Sequence, residues 1–91
     1  MQHKDEKTLY FKKELGKLIS ELRQKHTHSS CRRLAHEYGM YSGHLNMVEN
    51  GRVECKVITL WKISEALGIK FSDFAKALEE KLGEDFKLMD E

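Results

Sequence analysis

The stretch from Ser30 to Gly51, SCRRLAHEYGMYSGHLNMVENG, constrains the fold of this chain more than any other segment. Its apolar residues fall at helical spacing in two short sets that a single glycine separates. Leu34, Ala35 and Tyr38 make the inner face of the first helix, and Gly39 breaks it. Leu45 and Val48 turn inward from the second, which ends at Asn50-Gly51. Ala35 provides the small side chain needed where two steeply crossing helices bring their axes close. This is a helix-turn-helix arrangement, the second helix of which has the dimensions of a DNA major groove.

The remainder reads as helix throughout. Residues 1–8 are polar and predict a frayed arm ahead of a domain spanning 9–83. From about Leu9 to Lys25, Phe11, Leu15, Leu18, Ile19 and Leu22 recur every three or four residues, the mark of an amphipathic helix. Gly16 interrupts that pattern at a cost of about 1 kcal/mol relative to alanine, and so suggests close packing or simple tolerance. After the polar break at 26–29, Ser30 sits where an N-cap is wanted. A fourth helix runs from about Val57 to Leu67, with Val57, Leu60, Trp61, Ile63, Ala66 and Leu67 available to the core and Gly68 as its stop. Ser72 caps a fifth from Asp73 to Leu82, which Gly83 ends; an acidic tail occupies 84–91. With no proline and no alternating segment, the expectation is an all-α fold of five short helices.

Charge is segregated. Residues 1–52 carry ten Lys/Arg against six Asp/Glu and all five histidines, whereas 53–91 carry six against nine, although the net charge is only +1. A basic half can track phosphates while an acidic remainder limits non-specific association. No apolar run suits a signal or membrane segment, which points to the cytoplasm. Cys31 and Cys55 are too few for a disulfide framework, and no paired Cys/His spacing forms a zinc site. Nothing orients a Cys-His nucleophile pair either. The chain therefore reads as a binding protein without metal or cofactor rather than an enzyme. Cys31, at a helix start beside Arg32, is placed to favour its thiolate, although a plain small polar contact is the role expected of it before redox sensing.

Leu15-Gly16, Leu22-Arg23, Leu34-Ala35, Gly39, LNMVENG and LWKISEALGI, taken in order, resemble the lambda-repressor-like, Cro-type helix-turn-helix family (the XRE group) from about Leu15 to Phe74. The resemblance implies a compact five-helix DNA-binding domain with the helix-turn-helix at helices two and three. The helix from about Ser42 to Asn50 would lie in the major groove. The start of the preceding helix would abut the phosphate backbone, and a homodimer would sit on a two-fold operator. The implied function is that of a small transcriptional repressor. Glu49 falls where the family often has a structural glutamate, with Arg23 or Arg33 as its partner. The sequence departs from the family at Cys31, often a DNA-contacting glutamine, and at Tyr41, commonly a Ser or Thr cap that Ser42 would replace. Arg32-Arg33 stands where an acidic pair is usual, and the proline often found before the fourth helix is absent.

Groove-facing candidates for base contact are Ser42, Gly43, Asn46 and Met47. Asn46 has the donor and acceptor to pair with adenine, and Met47 suits a thymine methyl. Phosphate candidates are Cys31, Arg32, Arg33, His44, Asn50 and Arg52, with Lys12 and Lys13 as weaker ones. Two arginines in a first helical turn oppose the helix dipole unless an anion joins them. The competing class is a protein-interaction module, such as an antitoxin bound to its toxin. It would use Phe74, Leu78 and Leu82 of helix five with Phe86, Leu88 and Met89 of the tail.

Overall fold

A 24-residue helix, α1 (His3–His26), is the platform for the other elements of the computed structural model, which describes residues 3–89. It begins six residues before the periodic pattern does, so residues 3–8 are helical rather than a frayed arm; Met1 and Gln2 lie outside the described residues. Asp, Glu, Lys and Thr here include no breaker, and a charged helical turn leaves no periodic apolar trace in the sequence. Four further helices follow: α2 (Cys31–Glu37), α3 (Ser42–Glu49), α4 (Val57–Leu67) and α5 (Phe71–Leu82). Among the described residues there is no strand.

The core is built where α1 crosses the others. Leu15, Leu18 and Ile19 of α1 meet Leu34 and Ala35 of α2 and Leu45 and Val48 of α3. Ile63, Ala66 and Leu67 of α4 and Phe74 of α5 complete the cluster. Ala35 is fully buried, as a small residue at a tight crossing should be. Tyr38, Val57 and Trp61 do not join the core and are exposed. In α4 apolar residues occupy most of the helix circumference, so periodicity alone left its inner face undecided. Phe74 is wholly core and so is not open to the interaction surface that helix five would provide, and Leu78 and Leu82 are half-buried.

Helix ends follow a common chemistry. Ser30 Oγ accepts the Arg33 N–H at 3.1 Å and caps α2. Gly39 adopts a left-handed φ of 68°, which lets the Met40 N–H reach the Ala35 carbonyl at 2.7 Å and the Gly39 N–H reach His36 at 3.4 Å. The same closure ends α3 and α4. Neither Tyr41 nor Ser42 caps α3: Tyr41 holds the N-cap position with no side-chain bond, and Ser42 is the first helical residue. Likewise α5 starts at Phe71 with Lys70 as its uncapped N-cap, so Ser72 lies inside the helix, while Asp73 does occupy the first turn. Beyond Gly83 the chain turns back and Phe86 packs on Tyr10 and Phe11, with ring centroids 5.7 and 6.1 Å apart. Leu88 and Met89 remain exposed, and Asp90 and Glu91 lie outside the described residues.

Gly16 answers the question its sequence position raised. A Cβ built there would sit 2.5 Å from the Val48 carbonyl oxygen and 2.7 Å from the Glu49 carbonyl carbon, and would also strike the Glu49 oxygen. The end of α3 thus rests directly on the α1 backbone. In an exposed helix a Gly→Ala change gains about 1 kcal/mol. Here Gly16→Ala is expected to lose about 1–3 kcal/mol by overpacking, read as a lower urea midpoint in circular dichroism. A raised midpoint would show that α1 and α3 do not meet this closely.

Candidate nucleic-acid interface

The outward side of α3 is set by what its inward side holds. Leu45 and Val48 are buried, which turns Asn46 and Met47 to the surface one turn apart from Ser42 and Gly43. Asn46 and Met47 are exposed, whereas Ser42 and Gly43 are only half-exposed. The Tyr41 ring lies over Gly43, its Cε2 3.0 Å from where a Cβ would be. Gly43 therefore offers its backbone less openly than its lack of a side chain suggests. Asn50 is tied to α3 itself: its Nδ2 donates to the Asn46 carbonyl at 2.8 Å and to Asn46 Oδ1 at 3.2 Å. Asn46 keeps its own amide N–H groups and a second Oδ1 lone pair for another partner.

Glu49, the one acid of α3, is withdrawn from this surface. Arg23 grips it through two bonds, Nε to Oε2 at 2.9 Å and Nη2 to Oε1 at 3.0 Å, with side chains only 14% and 8% exposed. Arg23 Nη1 also donates to the Ser29 carbonyl at 3.1 Å. The parallel two-bond geometry is the strong form of the arginine–carboxylate pair. It raises the Arg23 pKa above the usual arginine value, chiefly through the hydrogen bond to Glu49. Of the two candidate partners for Glu49, then, Arg23 makes the pair; Arg33 instead reaches Glu37 at 3.6 Å on the exposed side of α2.

Cys31 lies beside this pair, half-buried against the core. Burial first, and then the Glu49 charge, push its thiol up to about 11, more than Arg23 lowers it. The expectation of a favoured thiolate is thereby reversed, because burial and the nearby Glu49 carboxylate outweigh Arg23. Burial likewise raises Cys55 to about 11.

A cationic rim borders the α3 surface. Arg32 and Arg33 are exposed at the start of α2, and with His36, Met40, Tyr41 and Ser42 they line a concavity of about 520 Å³ between α2 and the start of α3. Because Ser30 already takes the Arg33 N–H, an anion here would be held by guanidinium groups more than by that amide. Arg52 is exposed just past the end of α3. His44 is half-buried and shares a smaller hollow with Tyr41, Thr59 and Lys62. Lys12 is half-buried; Lys13 is exposed, and Gly51 rests on its Cα, 2.9 Å from where a Cβ would be. His36, Tyr41 and Lys62 were not foreseen. An aromatic at an N-cap that cannot cap was the available signal for Tyr41; the other two emerge only when α2 and α4 are brought beside α3.

Among the described residues, no three His, Cys, Asp or Glu gather as a metal site, and no helix is long and apolar enough to cross a membrane. No protein-family profile matches the chain, and no curated protein matches it significantly.

The Arg23 pair and the neighbouring thiol can each be tested. Arg23→Met strands a mostly buried carboxylate and is expected to lower stability by about 2–3 kcal/mol, with much of it recovered in the Arg23→Met/Glu49→Met double variant; urea unfolding reads both. Alkylation of Cys31, followed by peptide mass spectrometry, should stay slow until pH approaches about 11. Glu49→Gln removes a charge that raises the thiol, so Cys31 should then react faster at any given pH. An unchanged rate would mean that the carboxylate does not act on the thiol.

Proposed function

We propose that this chain is a sequence-specific, double-stranded DNA-binding regulator with a lambda-repressor-like domain, α2 and α3 being its helix-turn-helix. α3 enters the major groove with Asn46 and Met47 toward base edges and Ser42 at its leading end. Arg32, Arg33 and Arg52 hold phosphates on either side of it, Asn50 steadies Asn46, and His44 adds a polar contact. Two copies bind a two-fold operator in the cytoplasm and repress transcription; the role is binding, not catalysis.

One observation carries this reading: α3 presents an uncharged, partly polar face inside an arginine rim, while its single carboxylate is bound by Arg23. A free glutamate there would repel the phosphate backbone. With no arginine on α3 to read guanine, base contacts supply modest discrimination and DNA shape supplies part of the rest.

Binding to mixed duplex fragments across a salt series tests the proposal. The logarithm of the affinity should fall linearly with log salt, and Arg32→Ala and Arg33→Ala should each flatten the slope by about one while weakening all sequences alike. Asn46→Ala should lose about 1–3 kcal/mol on the preferred sequence and far less on others. A protein-interaction module acting through α5 and the tail would show almost no salt-dependent affinity for DNA, and that result would exclude the regulator.

A further inference from the structure

Three strongly exposed apolar side chains lie together on α4, two of them more exposed than any other described apolar residue outside the tail and Tyr41. Val57 is 66% exposed, Ile58 73% and Trp61 52%, although they sit on a helix whose other face forms the core. At 100° per residue, Val57, Ile58, Trp61, Glu65 and Gly68 fall within about 100° of one another on the outer face. The Trp61 ring stacks on Phe71 with centroids 5.1 Å apart and planes 16° apart, which fixes an aromatic wall at the middle of this strip. Past that wall lies a concavity of about 700 Å³ lined by Trp61, Ser64, Glu65, Gly68, Ile69 and Phe71, among others. One end of α4 is thus an apolar knob, and the other is an apolar hollow.

We infer that this α4 face binds the same face of a second copy of the chain, with the two α4 helices antiparallel about a two-fold axis near Trp61. That operation lays Val57 and Ile58 of each copy opposite the hollow beside Ser64 and Gly68 of the other. Charge is matched by the same operation. The α4 N-terminus has Lys56 as an N-cap with no side-chain bond, hence positive; at the far end of the strip Glu65 accepts from Trp61 Nε1 at 3.2 Å, and Lys70 lines the hollow beyond it. An antiparallel pair sets each positive end against the other copy's Glu65, whereas a parallel pair would set like against like. A surface that is its own complement under a two-fold is what a symmetric dimer requires. Three large apolar side chains, each more than half exposed, lie at the centre of the strip, and the hollow extends it toward the roughly 800 Å² that each partner contributes to a standard interface. The largest contiguous apolar patch on a small domain is often functional. The inference rests on the DNA-binding reading only for its use: it names the surface through which two reading helices are coupled.

Sedimentation of the full chain without DNA tests it. From about 1 µM to about 1 mM, mass should rise from that of one chain to that of two. Emission from Trp61, the single tryptophan, should shift to the blue over the same range. Ile58→Glu, a change at an exposed position, should raise the dimer dissociation constant at least about tenfold with helical circular dichroism unchanged. Lys56→Glu and Glu65→Lys should each weaken the dimer, and their combination should restore it. If Ile58→Glu loses its helical signal, the two surface charge reversals decide alone. A chain that stays monomeric throughout, or a dimer indifferent to these changes, overturns the inference. A monomer that still binds DNA with a salt slope would defeat this interface alone. A dimer with no salt-dependent DNA affinity would defeat the functional reading alone.

Discussion

Arg23 holds three parts of the chain with one planar group: Glu49 at the end of α3, the Ser29 carbonyl in the link to α2, and its own position near the end of α1. Because Glu49 follows Val48, which is buried, the pair fixes both how far α3 lies along α1 and how it is rotated. The absence of a side chain at Gly16 then allows the α3 carbonyls to settle onto α1. An ion pair so nearly enclosed is not primarily a source of net stability, since desolvation offsets much of its attraction. Its effect is directional: other registers of α3 would leave a buried charge without its fork.

The turn between α2 and α3 works with that clamp. Gly39 in the left-handed region closes α2 after only seven residues, and the chain re-enters a helix at Ser42. Helices this short have little stability of their own. They persist because Leu34, Ala35, Leu45 and Val48 share one core with α1. The order of dependence runs from α1 outward, and the surface residues of α3 inherit their placement from buried ones.

Much of this was legible in the residues. The stops at Gly39, Gly51 and Gly68, the Ser30 cap and the bounds of α4 are local signals with local causes, and they coincide with the structure. What was not legible depends on the third dimension. Glu49 had two arginines within reach of its helix, and only the packing of α3 on α1 selects Arg23. Trp61 and Val57 have the hydrophobicity of core residues and lie outside it, because α4 has more apolar surface than one domain buries. Cys31 has the sequence neighbours of a reactive thiol, yet Glu49, eighteen positions away, governs it together with burial. Of the candidate surface, the residue types on α3 were readable, whereas the hollow that gathers Arg32, Arg33, His36 and Tyr41 was not.

The bond from Asn50 to Asn46 changes what any encounter at this surface demands. A lone asparagine on a helix samples several rotamers and gives up that freedom when it is gripped, a loss of roughly 0.5–1.5 kcal/mol for a mobile side chain. Asn46 has already surrendered part of it within its own helix. The amide therefore meets a visitor half-aimed, and a mismatched visitor finds a group that resists swinging round to suit it.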